Sequence, residues 1–257
     1  MPLVLLAGAV LSGVASCGGA DGGEREEEDR REATSQVRVS AAASLTDAFS
    51  EMESAFEATR PAIDVLLNLG GSSALSVQIL EGAPVDVFAA ADTSIMQPVV
   101  EAGEVDGNPA VLARNLLQIA VPSGNPGGVT GVEDFSDNDL VIGLCAQSVP
   151  CGELARRALI RAGVTPAIDT NEPDARALLT KVELGEIDAG ITYVTDVIAA
   201  DGAVEGIDLP PEVNVSAEYS IAVLASAPNP DAAAAFVEFV LSDAGQAILE
   251  SHGFDRP

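Results

Sequence analysis

Residues 69–80 read LGGSSALSVQIL, two glycines and two serines set directly before a run with the composition of a helix. A single serine is enough to cap a helix, so four small residues in a row call for another reason. Small residues let a backbone come close to a ligand. A helix start offers that ligand unpaired N–H groups and about half a positive charge, which makes it an anion site without lysine or arginine. The stretch follows IDVLLNL (63–69) and precedes VDVFAAAD (85–92), both of which read as strands. Strand, small-residue turn, helix, strand is the unit of an α/β fold.

Outward from that unit the same alternation continues. VRVSAAA (37–43) is a strand, and in LTDAFSEMESAFEAT (45–59) the residues Leu45, Ala48, Phe49, Met52, Ala55 and Phe56 recur at helical spacing. LLQIAVPSG (116–124) reads as a strand that leaves the first sheet, and VIGLCA (141–146) as a strand of the next. CGELARRALIRAG (151–163) and PDARALLTKVELG (173–185) are helices stopped by Gly163 and Gly185, the second with Pro173 in its first turn. AGITYV (189–194) and SAEYSIAVLA (216–225) are strands, and the chain closes on the helical pair PDAAAAFVEFVLS and AGQAILESHGF. Such alternation predicts parallel-rich sheets with helices on both faces and ligands at the carboxyl ends of the strands.

Four helices begin in this small, polar manner: AAASLTDAF (41–49), GGSSAL (70–75), SVPCGELA (148–155) and NEPDARAL (171–178). Every helix has a start, so one proves little. Four of this composition, with a strand-end tyrosine in ITYVTD, point to an anion held at helix starts.

The totals narrow the partners. At 257 residues the chain can bury roughly 70–75% of its unfolded surface. Its formal net charge of −28, from 12 basic and 40 acidic side chains, argues against nucleic acid, whose phosphates demand a basic face. It does not argue against a small anion, because surface charge is screened beyond about 8 Å. No GxGxxG, phosphate loop, GxSxG or CxxC is present. Residues 1–17, MPLVLLAGAVLSGVASC, form an apolar segment of signal length, and Val-Ala-Ser-Cys at its end resembles a bacterial lipobox with Cys17 as the lipidated residue. No Lys or Arg precedes the apolar run, and Val14 stands where leucine is usual. Residues 18–36, glycine-rich and then charged, read as a flexible acidic tether. The folded part is therefore expected outside the cytoplasmic membrane, anchored to its outer face. There, Cys145 and Cys151, six residues apart, are expected to form a disulfide.

In their order, AAASLTDAF, GGSSAL with the following GAPVDVFAAAD, VPCGELARRAL, DARALLTKVELGEIDAGITYVTD and the closing GQAILESHGF resemble the extracytoplasmic molybdate-binding proteins of ABC transporters, over about residues 37–254. The resemblance implies the type II periplasmic-binding-protein fold, two α/β lobes with the ligand in the cleft between them. Lobe one would comprise 37–119 and 218–257, and lobe two 120–217. It implies a molybdate ligand, with tungstate beside it, an ABC permease as partner, a monomer, no cofactor and no catalysed reaction. The family's ligand positions fall on Ser44, Ser72 and Tyr193 as hydroxyl donors and on Cys151 and Ala175 as backbone donors. The family often has alanine at the first of these last two positions and valine at the second, and a main-chain role survives both changes.

Three alternatives stay open on the residues alone. Another oxyanion such as sulfate could fill a donor-lined site. Ferric iron favours paired tyrosines with a histidine or carboxylate, and Tyr193 and Tyr219 are the only tyrosines. A serine hydrolase built on Ser44 or Ser72 would need a base, for which His252 is the only histidine. Either serine could also be an ordinary helix cap.

Overall fold

The structure is a computed structural model and describes residues 35–257. The expected signal segment, Cys17 and nearly all of the expected tether lie outside the described residues. Strand β1 (Ser35–Ala42) takes in the last two residues of that tether. Ser35 N–H donates to Ala62 O at 2.9 Å and Gln36 Nε2 to Asp64 Oδ2 at 3.2 Å, so both residues belong to the sheet.

A 3-10 turn (Ala43–Leu45) leads from β1 into α1 (Thr46–Thr59), and β2 (Ile63–Gly70) leads into α2 (Ser72–Leu80). Then come β3 (Val87–Ala90), α3 (Thr93–Glu101), β4 (Ala110–Asn115) and β5 (Leu117–Pro122). The second half runs β6 (Ile142–Cys145), α4 (Pro150–Ala162), β7 (Ile168–Glu172), α5 (Ala175–Glu183), β8 (Ala189–Tyr193), α6 (Val194–Ala199), β9 (Val204–Asp208) and β10 (Ala217–Val223). Helices α7 (Pro230–Leu241) and α8 (Asp243–Ser251) close the chain.

The strands form two five-stranded sheets of matching design, β2-β1-β3-β10-β4 and β7-β6-β8-β5-β9. In each, the first three strands are parallel and the fourth runs antiparallel to both neighbours. The sheets are thus mixed rather than parallel-rich. The physical reason is the crossing: the chain passes from edge strand β4 to β5 at Leu116, and from edge strand β9 to β10 through residues 209–216. Each crossing strand enters its new sheet against the prevailing direction. The division between sheets falls at Leu116, three residues before the expected boundary, because β5 already pairs Leu117 with Tyr193.

The helices form as their apolar spacing predicts. In α1, Ala48, Phe49, Met52 and Phe56 are buried, and the rings of Phe49 and Phe56 meet Phe236 of α7 edge to face at 6.1 and 5.3 Å. Each such pair contributes roughly 0.5–1.5 kcal/mol beyond burial. Helix α4 ends at Gly163 in the left-handed region (φ 73°), with Val164 N–H returning to Leu159 O. Pro173 lies outside α5, whose N-cap is Asp174.

The parallel strands end on a common region. The carboxyl ends of β1, β2 and β3 carry the starts of the 3-10 turn, α2 and α3, and the end of β8 carries Tyr193.

Candidate ligand-binding site

A cavity of about 20 Å³ sits where these ends meet, room for one small ion or a water or two. Its walls are Ala42–Ser44, Gly70–Ser72 and Ala91 from the first sheet's side, and Val149–Cys151, Asp174, Ala175 and Tyr193 from the second's. All five residues expected at the site, Ser44, Ser72, Cys151, Ala175 and Tyr193, line it. Each arrives on a separate turn.

Neither serine caps a helix. The 3-10 turn and α1, α2 and α4 have no side-chain cap, whereas α3, α5 and α8 are capped by Asp92, Asp174 and Ser242. The starts of α2 and α4 that face the cavity thus keep their first-turn N–H groups for another acceptor. Ser72 Oγ accepts from Ala91 N–H at 3.1 Å, which leaves its own proton to donate. Ser44 Oγ lies 2.8 Å from Tyr219 Oη. Asp174, the carboxylate on the cavity wall, is engaged by Ala177 N–H at 2.9 Å.

Tyr193 is 1% exposed, and among the described residues its Oη has no hydrogen-bond partner. Burial pushes this phenol well above its ordinary range, with Tyr219 and Asp196 adding to the effect. It stays protonated and can donate to an acceptor placed in the cavity. Nearby Asp196 is fully buried; desolvation raises its pKa, and it accepts from Thr192 Oγ1 at 2.6 Å and Tyr193 N–H at 3.2 Å.

Contacts across the cleft draw the two sides together. Arg176 of α5 pairs with Asp47 of α1, and Ser73 Oγ of α2 donates to Ser148 O at 2.6 Å. At Gly71 a Cβ would lie 2.8 Å from Pro173 O, so only glycine permits this approach. Cys145 and Cys151 are bonded, with Cα atoms 5.8 Å apart, which ties the end of β6 to the start of α4. Next to it, a Cβ on Gly152 would collide with the carbonyl oxygens of Cys145 and Ala146.

The alternatives from sequence meet specific obstacles. His252 Nε2 pairs with Glu51 Oε2 at 2.9 Å and serves neither serine, so the hydrolase lacks its base. The two tyrosine rings do lie edge to face at 5.9 Å. Yet Tyr219 is not on the cavity wall, burial pushes its phenol far above the ordinary range, and its oxygen is taken by Ser44 and Asn115. No cluster of three His, Cys, Asp or Glu able to hold a metal occurs among the described residues.

Sequence reasoning missed Asn115 and Arg176, and weighed Tyr219 only as an iron ligand. Arg176 had a local signal, a cation inside the quoted DARAL motif. Tyr219 and Asn115 had none.

Comparison with known proteins agrees with this geometry. A sequence profile described as bacterial extracellular solute-binding protein matches residues 37–255. The chain is 34% identical over 253 residues to the molybdate-binding protein ModA of Mycobacterium tuberculosis (strain ATCC 25618 / H37Rv), covering 98% of this chain and 97% of that one. The periplasmic molybdate-binding protein of Azotobacter vinelandii has a similar fold, with TM-score 0.77 at 18% identity over 86% of this chain and 99% of that one. So does the sulfate-binding protein SubI of M. tuberculosis H37Rv, with TM-score 0.76 at 18% identity over 86% and 87%. At such identity these two likenesses speak for the two-lobed fold alone.

Proposed function

The chain belongs to the bacterial extracellular solute-binding proteins, which bind solutes for transporters and are not enzymes, and from that premise we propose that it captures molybdate, and tungstate with it, for an ABC importer. The observation that carries the reading is the Tyr193 hydroxyl, buried and without a partner among the described residues, on the wall of a cavity otherwise furnished with donors. In this reading Ser44, Ser72 and Tyr193 donate through hydroxyls, and Cys151 and Ala175 through backbone N–H. The two lobes, dividing at Leu116 and at residues 209–216, close over the anion, and closure is the state the permease reads. Cys17, outside the described residues, carries the lipid that holds the monomer at the outer face of the cytoplasmic membrane.

The donor inventory also ranks the anions. Molybdate near neutral pH is a bare dianion whose four oxygens all accept. Monohydrogen phosphate brings a proton that must find an acceptor, and burying it without one costs about 1–3 kcal/mol. The carboxylate on the wall, Asp174, is held by its Oδ1 as the cap of α5, and its turning inward would supply the acceptor that phosphate needs. Sulfate has no such proton, and its shorter bonds leave donors preset for a larger ion too far away. Calorimetric titration with molybdate, tungstate, sulfate and phosphate tests the reading. Molybdate and tungstate should bind tightest, sulfate well behind and phosphate not measurably. Sulfate or phosphate matching molybdate would overturn it.

A further inference from the structure

We infer that Asn115 and Tyr219 are positioning residues that force the Ser44 hydroxyl to face the cavity as a donor, and that they thereby set the site's refusal of protonated anions. The inference rests on the oxyanion reading above and deepens it.

The chain of reasoning starts at a backbone group. Leu116 N–H meets the Asn115 side chain at 3.0 Å, and because it can only donate, the atom it meets is the carbonyl oxygen Oδ1. The amide nitrogen Nδ2 therefore faces the other way, toward Thr195 Oγ1 at 2.8 Å and Tyr219 Oη at 3.4 Å. An NH₂ group only donates. Tyr219 Oη thus receives a hydrogen from Asn115 and directs its own along the shorter of these two contacts, the 2.8 Å to Ser44 Oγ. Ser44 Oγ is then an acceptor on its buried side, and its proton is left to point at the cavity that Ser44 lines.

All of these groups are enclosed. Asn115 is 1% exposed, Tyr219 0%, Thr195 4% and Ser44 6%, so water has little opportunity to reverse the order. Each contact joins distant segments, with 175 residues between Ser44 and Tyr219 and 104 between Asn115 and Tyr219. A serine without this backing could turn its lone pair to a ligand proton. Ser72 has a comparable restraint from Ala91 N–H, which leaves Ser44 as the hydroxyl whose role depends on side chains.

The test is Tyr219→Phe, titrated with molybdate and with inorganic phosphate at neutral pH beside the wild type, with melting curves for both. Losing the phenolic proton frees the Ser44 lone pair, so phosphate binding should become measurable and the molybdate-to-phosphate affinity ratio fall at least tenfold below the lower limit set by the wild type. Parallel weakening of both anions, or a lower melting temperature with an unchanged ratio, would mean a packing role only and overturn the inference. Wild-type protein that fails to bind molybdate would instead defeat the functional reading. In that case, or if the variant does not fold, proton NMR of the ligand-free wild type still decides. A slowly exchanging Tyr219 hydroxyl proton with cross-peaks to the Ser44 β-protons is expected. Its absence overturns the relay.

Discussion

Removing the Tyr193 hydroxyl should improve the ligand-free protein and harm the loaded one. Its oxygen is buried with no partner among the described residues, so Tyr193→Phe deletes a desolvated group that costs stability. The ligand-free melting temperature should hold or rise by roughly 2–4 °C per kcal/mol recovered. Molybdate affinity should fall by roughly 10- to 150-fold, the equivalent of one hydrogen bond to a charged group at about 1.5–3 kcal/mol. A calorimetric titration beside a melting curve reads both quantities, and a variant that melts lower while binding normally would remove Tyr193 from the site. Tyr193 could be read from sequence because ITYVTD surrounds it, as AAASL and GGSSAL surround Ser44 and Ser72. Tyr219 could not, since what gives it meaning is an oxygen 175 residues away.

Among elements, the helix starts were the legible part of the fold, because small residues after an apolar run mark where a strand ends and a helix begins. Of the four edge strands, β2 was legible as IDVLLNL, whereas β4, β7 and β9 were not. Strands β7, IDTNE, and β9, VEGID, are short and polar, with one buried residue each, and carry little alternation to detect. The mixed strand direction was equally hidden, because no local pattern states which way a chain enters a sheet. Two predictions belong to this scale. The disulfide between β6 and α4 closes a loop of a few residues, worth about 2 kcal/mol by chain entropy. Reduction should therefore lower the melting temperature by roughly 4–8 °C. It should also weaken molybdate binding, since the Cys151 N–H loses its fixed place; a reductant that changes neither would contradict this. Gly71→Ala places a methyl group against the Pro173 carbonyl across the cleft. Overpacking of about 1–3 kcal/mol would fall on the closed state alone, so affinity should drop roughly tenfold while the ligand-free protein melts within about 2 °C of wild type. Wild-type affinity in that variant would show that the two sides need not approach so closely.

At the scale of the whole molecule, a protein of formal net charge −28 collects a dianion. Its long-range field repels the ligand that its cavity holds, so the attraction must come from dipoles acting within the first turn of each helix. Stopped-flow measurement should show capture speeding up as salt is added, with little change in release, the reverse of electrostatic steering. An association rate that falls with salt would reveal a cationic approach path. The last consequence belongs to the two chain crossings, at Leu116 and at residues 209–216. Bodies tied at two places can swing about the line through both ties but resist twisting across it. Opening then has one degree of freedom, and a single coordinate describes it. Spin labels on exposed Leu80 and Leu184, one on each side of the cleft, should give two discrete distances that ligand merely reweights. A third distance, or a continuous spread, would mean that the two crossings yield independently.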